Sequence, residues 1–463
     1  MRNHLYHSMM LIRKVSLHTV IRIFTILIIS QLLTACTTLY SPPLLSTQES
    51  DCLSPLRQLD QLAEQHAGTL TDHRIPGTPW LRNNRFLHSF QQQDLNQAQL
   101  NTLLQRMSQL AIAGLSTESK HIPASQLQYW QTTHQIKSTP ARFIQRCAKQ
   151  LLRNQLRQPA TAASWLKQLT LADSYSSLQR VFGLYPLAAI PFRWGVTREQ
   201  QTLQQQWGKT QNDSWTAYAP INAIKTGQPA IIRPRRDALN IPILSRQEKQ
   251  RLFIQHAPTW LINDQSPVNT PGTPERKGNE ITVDTTKPVT YTHLSFGRWQ
   301  HQITTQLNYL IWFSERPALH SFDWVAGKHD AVIFRVHLDQ AQNILAYDSI
   351  HLCGCWYRLF LPQGTKFTAD TSYHSEPVIA EHVTAARQMQ VYISRDTHQI
   401  IDLQPVTNHA ANTRHYPLRE FTELLQLPVF DRQGYVPGSE RPERWFFWPM
   451  GVRNPGAVRR FGE

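Results

Sequence analysis

The sequence predicts an α+β protein, with a helical amino-terminal domain followed by an antiparallel-sheet-rich carboxy-terminal domain. Two changes in periodicity carry this prediction. Between about residues 52 and 195, apolar residues recur at three- and four-residue intervals, the spacing of one helix face. Beyond residue 288 they alternate with polar residues, the spacing of a half-buried strand. The chain therefore divides into a mainly helical domain over 52–262, a linker or long loop over 263–287, and a β-rich domain over 288–463 that ends in a basic, aromatic tail.

The first 35 residues stand apart from both domains. Arg13, Lys14 and Arg22 precede an apolar segment from Ile23 to Leu33, and the small residues Thr34 and Ala35 lead into Cys36. That apolar segment falls well short of the roughly 20 residues a membrane-crossing helix needs. The run Leu33-Thr34-Ala35-Cys36 resembles the lipobox of bacterial lipoproteins. The resemblance implies cleavage of a signal peptide over 1–35 and lipidation of Cys36, first with diacylglycerol and then on the new amino group. Each buried methylene contributes about 0.8 kcal/mol, so three acyl chains anchor almost permanently. Thr37 stands where an Asp often signals inner-membrane retention, so the resemblance favours the outer membrane, facing the periplasm. Residues 36–51, rich in Ser, Thr and Pro, read as a lipidated tether.

Within the helical domain, Ser54-Pro55 offers an N-cap and a first-turn proline ahead of Leu56, Leu59 and Leu62, and Gly68 supplies a stop. Leu100, Leu103, Leu104, Met107 and Leu110 repeat the helical spacing, as do Phe143, Ile144, Cys147 and Leu151. Burying these stripes together requires a small bundle. Cys147 sits on an apolar face, as a buried thiol or bridged to Cys52; such a bridge would contribute up to about 4.7 kcal/mol in the loop-entropy model. From 196 to 262 the signals are mixed, with a basic run Arg233-Pro234-Arg235-Arg236 and a helix from Ser245 to Gln255.

In the β-rich domain, Ile303, Thr305, Leu307, Tyr309, Ile311 and Phe313 alternate with Gln302, Thr304, Gln306 and Asn308. Val332, Phe334, Val336 and Leu338 mark a second strand, and Asp339 to Asn343 turns the chain into a third, Ile344 to Leu359. Val391 to Ile393 and Ile400 to Leu403 flank Asp396-Thr397-His398 as a hairpin, and a helix is expected near Leu418 to Leu425.

The densest chemical constellation is His351-Leu352-Cys353-Gly354-Cys355. In an extended strand the imidazole and both sulfurs share a face. Alpha carbons two residues apart lie about 6.6 Å from each other, too far for a disulfide unless Gly354 bends the chain. Three readings remain open. His351, Cys353 and Cys355 could hold zinc or copper(I), with a fourth ligand from His293, His301, His329 or His374. Cys353 or Cys355 could be a thiol nucleophile or redox centre activated by His351. The cysteines could instead form a structural disulfide, within the pair or to Cys52 or Cys147. Glu315 and Asp323 form a further pair of carboxylates suited to acid–base work, or simply to a solvated surface. Patterns of common hydrolases, kinases and dinucleotide enzymes are absent from the sequence.

The formal net charge is +15, and the leader holds four cations and no acid, which leaves about +11 after cleavage. Such a balance attracts polyanions, here an anionic envelope polymer or lipid, or serves solubility alone. Nucleic acid is set aside for an exported chain without a recognisable nucleic-acid-binding motif. The tail joins Trp445, Phe446, Phe447 and Trp448 to Arg444, Arg453, Arg459 and Arg460, a combination that suits polyanion contact if it does not fold back as a terminal strand. The sequence thus leads to a membrane-anchored envelope lipoprotein that binds or scaffolds an anionic envelope component. The alternative is a metal-dependent or thiol-based enzyme centred on His351, Cys353 and Cys355.

Overall fold

A computed structural model describes residues 51–66, 73–171, 176–210, 214–221, 232–299, 302–368, 378–406, 413–427, 429–431 and 435–452. Cys36, Arg453, Arg459 and Arg460, and with them the leader and tether, lie outside the described residues.

The architecture is α+β, helical first and then rich in antiparallel sheet. The helix Gln97–Glu118 starts at a capping box in which Asn96 accepts from the Gln99 backbone and Gln99 accepts from that of Asn96. Thr139 caps the helix Pro140–Leu156, whose first residue is a proline with no amide hydrogen to leave unpaired. Their apolar faces meet those of Leu53–His66 and Pro159–Gln168 in one core that also buries Trp80, Trp130 and Trp165. Arg82 crosses this core to both oxygens of Glu118, at 3.0 and 2.7 Å. Gly114 makes room for it, since a Cβ there would lie 2.1 Å from the guanidinium.

Cys52 and Cys147 are joined by a disulfide, their alpha carbons 5.2 Å apart and 95 residues apart in sequence. Reducing it, or replacing both with alanine, is expected to lower unfolding stability by about 4 kcal/mol, less any structure kept in the unfolded chain. Urea titration with and without reductant checks this; coincident curves would leave the bond without a stabilising role.

The carboxy-terminal part is built on two sheets. The larger has seven strands in the spatial order Ile379–Val383, Arg358–Pro362, Ile344–His351, Gly327–Leu338, Gln302–Arg316, Thr290–Trp299 and Leu418–Glu420. The smaller has five, in the order Ile400–Pro405, Met389–Ile393, Thr259–Ile262, Thr216–Pro220 and Thr413–Tyr416. The larger sheet is antiparallel through its centre with a parallel partner at each edge, Ile379–Val383 and Leu418–Glu420, whereas the smaller alternates antiparallel and parallel pairings, the latter joining Thr259–Ile262 to Met389–Ile393 and Thr216–Pro220 to Thr413–Tyr416. Leu307, Tyr309, Ile311 and Phe313 of the larger sheet pack with Trp260, Ile262, Val391 and Ile393 of the smaller. On the opposite face Leu310, Trp312 and Ile333 pack with Phe421, Leu424 and Val436.

Several expectations need correction. Strand Gln302–Arg316 is buried on both faces, not half-buried. Its even-numbered polar residues are accommodated by hydrogen bonding: Ser295 donates to Gln306 at 2.9 Å, and Asn308 donates to the same serine at 2.9 Å. On the neighbouring strands Asp348 accepts from Arg335 at 2.7 Å and His337 at 2.6 Å. The span 52–262 is not helical to its end, because Thr216–Pro220 and Thr259–Ile262 are strands of the smaller sheet. Four and five residues are too few to display alternation, and Thr259–Ile262 has a partner as distant as Met389–Ile393. The span 263–287 holds a 3-10 turn, Pro267–Asn269, and a hairpin of Thr273–Lys277 with Glu280–Asp284, turned at Gly278 with φ of +64°. Its charged sequence hides it from a hydrophobic pattern. The tail forms a short helix, Arg444–Phe447, in place of a terminal strand.

Candidate functional site

The site begins where two strands of the larger sheet meet. Gly327–Leu338 carries His329 near its start, and its neighbour ends at His351, so that Val332 lies opposite His351. The expected strand over Ile344–Leu359 breaks here. Gly354 takes φ of 92°, and its amide donates to the His351 carbonyl at 2.7 Å. The His351 amide in turn donates to the Cys355 carbonyl at 3.0 Å. Cys353 and Cys355 therefore sit in a bend, and alternation along a strand no longer decides where their sulfurs point.

Asp330 is the hub. It is almost fully buried and accepts from His351 Nδ1 at 3.1 Å, from His398 Nδ1 at 2.8 Å and from the Ala331 amide at 3.0 Å. Arg441 lies 3.5 Å from the same carboxylate and donates to the His329 carbonyl at 2.9 Å. Burial alone would push the Asp330 carboxyl up, but the charge and hydrogen bond of His351, the hydrogen bond of His398 and the charge of Arg441 outweigh it. They hold it well below the usual carboxylate range. His398 is stacked on Phe313, ring centroids 3.8 Å apart, and its second nitrogen lies 3.2 Å from Asn269. Burial lowers its pKa against the pull of Asp330. His329, Trp356, Asp396 and His398 all adopt left-handed backbone conformations around this hub, a concentration of strain typical of functional sites.

Beside the hub, Cys353 Sγ, Cys355 Sγ and a carboxylate oxygen of Glu443 converge, all within 4.8 Å of one another. Glu443 is buried, and that burial pushes its carboxyl up to about 7 despite the nearby Arg441 and Arg316. The Cys355 thiol is also raised, first by its hydrogen bond to Cys353, then by burial and by the charge of Glu443. Both groups must give up a proton before they can ligate a cation, so any such binding would strengthen as the pH rises.

A cavity of about 370 Å³ opens against this cluster. Cys353, Glu443, His329, Arg441, Arg444 and Trp445 are among its lining. His329 presents a buried Nδ1 without a hydrogen-bond partner, and burial, reinforced by Lys328 and Arg441, lowers its pKa to about 4. It is neutral at neutral pH. Arg441 Nη1 is likewise buried without a hydrogen-bond partner.

Of the residues singled out from the sequence, the structure unites Cys353 and Cys355. His351 is not the third member of their set: its Nδ1 is committed to Asp330, its Nε2 has no partner, and its ring packs edge-on against Trp356. Glu443 takes that place because the tail returns to the sheet. Cys353 and Cys355 are free thiols, so the staple to Cys52 or Cys147 is not formed. Among the four candidate fourth ligands, His329 lines the cavity and His293 packs elsewhere, against Phe421. His301 and His374 lie outside the described residues. Asp323 is occupied by Arg316 and by the amides of Leu319 and Val325, each at 3.1 Å, and so shapes a loop. Arg444 stacks over Trp445, 5.3 Å from the ring centroid.

Asp330, His398, Arg441 and Glu443 were not anticipated. The nearest signal was His329, already a candidate beside Asp330. In comparisons with family models, curated proteins and solved structures, nothing matches this chain.

Proposed function

We propose that this is an envelope lipoprotein, anchored through Cys36, whose cavity houses a metal-dependent enzyme centre on Cys353, Cys355 and Glu443. The convergence of two sulfurs and a buried carboxylate within 4.8 Å on a cavity wall carries this reading. Two thiolates and one carboxylate suit zinc, or copper(I) through the sulfurs. Three protein ligands leave a coordination position for water or substrate, which separates a catalytic site from a closed structural one. Neutral His329 stands in the same cavity as a proton acceptor. Asp330 fixes the surrounding loops through His351, His398 and Arg441.

The full-length protein, incubated with Zn(II), or with Cu(I) under reductant, and then dialysed, is expected to retain one equivalent of metal. Cys353→Ser/Cys355→Ser should abolish retention, and Glu443→Gln should weaken it by about tenfold or more. A protein isolated with a Cys353–Cys355 disulfide and no affinity for metal after reduction would sink the proposal.

A second reading, a binding protein for an anionic envelope component, is supported by the unpartnered Arg441 Nη1 and by Arg444 on the cavity wall. Binding of purified envelope polyanions should then fall steeply with salt, and salt-insensitive binding would count against it.

A further inference from the structure

Among the described residues, a run of exposed apolar side chains lies on one helix and the segment before it. The helix Tyr185–Gln206 carries Leu187, Ile190, Pro191 and Trp194 at intervals of three and four residues, the stripe that ordinarily turns inward. Here it faces outward: Leu187 is 68%, Ile190 66% and Trp194 73% exposed. The preceding residues Val181, Phe182 and Leu184 are exposed as well, and so are Trp445, Phe446 and Trp448 of the tail helix. These two segments are locked into one surface. Phe192 meets Phe447 edge-on at 5.5 Å, and Arg180 donates to the Met450 carbonyl at 3.0 Å. Gly183 lies so close to Pro449 that a Cβ would come within 2.4 Å of its alpha carbon.

We infer that this surface docks on an anionic phospholipid bilayer. Its charge is complementary to such a partner: residues 176–198 contain Arg180, Arg193 and Arg198 and no acid, and residues 444–452 contain Arg444 and no acid. Tryptophans and phenylalanines beside arginines are the residues that settle at the headgroup boundary. The tether adds a distance argument that rests on the lipidation reading. The 15 residue steps from Cys36 to Asp51 reach at most ~54 Å when fully extended, so an anchored fold cannot leave the membrane. Arg444, Trp445 and Trp448 belong both to this surface and to the cavity lining. Docking sets the cavity mouth among the headgroups, and if the cavity is a ligand site its substrate class is an anionic, membrane-borne amphiphile.

The test uses the full chain reconstituted in vesicles of phosphatidylglycerol and phosphatidylethanolamine with brominated acyl chains. The difference in tryptophan emission between the unaltered protein and Trp194→Phe isolates Trp194. That component should be quenched by the bromolipid and shielded from aqueous iodide. Leu187→Glu/Ile190→Glu, both at exposed positions, should abolish the bromolipid quenching while leaving the far-UV circular dichroism and Tm unchanged. Equal iodide quenching of Trp194 with and without vesicles would overturn the inference. So would a dimer in detergent that the double variant dissociates, because the face would then belong to a second copy. Mass spectrometry of the Cys36 peptide reads lipidation separately, so a missing anchor and a failed docking are distinguished.

Discussion

Asp330→Ala is expected to lower unfolding stability by about 3–5 kcal/mol, the usual cost of removing one partner from a buried charge network. The alanine would leave His351 Nδ1, His398 Nδ1 and one edge of Arg441 facing a gap in the interior. Asp330→Asn keeps the volume and one acceptor, so its loss should be smaller. It would still misorient one imidazole, because an amide nitrogen cannot accept. Denaturant unfolding of the three proteins checks the order, and equal stabilities would show that the two histidines are held by packing alone. Metal retention measured on the same variants separates the hub from the ligands: Asp330→Asn should weaken it without abolishing it, since none of the three ligand atoms is removed.

Between pH 7 and pH 5 the protein is expected to lose about 2 kcal/mol of stability through His256 alone. Burial, reinforced by the charge of Arg387, lowers this imidazole from 6.5 to about 4 in the folded state. The folded value is below the unfolded one, so the unfolded chain takes up the proton first. The stabilising contribution is complete above pH 6.5 and declines as the pH falls through that value toward 4. His329 is lowered to a similar value and acts with the same sign. His256→Gln should therefore remove about 2 kcal/mol of this change, independently of Glu443, whose carboxyl, raised by burial to about 7, acts with the opposite sign. Urea midpoints at pH 7 and pH 5 for both proteins measure this directly; parallel losses would show that His256 is already protonated in the fold.

The helical part was legible because its information is local. Leu56, Leu59, Leu103, Leu104, Met107, Phe143, Ile144 and Leu151, singled out by spacing, are all buried in one core. Cys147 sits among them and bonds to Cys52, one of the two options the stripe left open. The long strands around Leu307–Phe313 and Val332–Leu338 were legible for the same reason. Short strands were not. Thr216–Pro220 and Thr259–Ile262 pair with each other and with Thr413–Tyr416 and Met389–Ile393, all partners far along the chain, which no local pattern reports. The site divides in the same manner. Cys353 and Cys355 declared themselves by composition and by a glycine able to bend the chain. Asp330, His398, Arg441 and Glu443 come from four separated segments and acquire chemistry only where the fold brings them together.

The segment 413–420 closes both sheets in succession. Thr413–Tyr416 adds the last strand of the smaller sheet and, after Pro417 alone, Leu418–Glu420 adds the last strand of the larger. Until this segment is in place Thr216–Pro220 and Thr290–Trp299 are edge strands, with unpaired amides and carbonyls able to recruit another chain. Contacts of such high sequence separation form slowly, because the intervening loop must be ordered before they contribute. Arg441 and Glu443 follow the same segment along the chain, so the approach of Glu443 to Cys353 and Cys355 is likewise a contact of high sequence separation. A nascent or partly unfolded copy would expose sticky sheet edges but could not bring Glu443 to its cysteines. The cluster of Cys353, Cys355 and Glu443 and the last strand of each sheet would then come together late in folding.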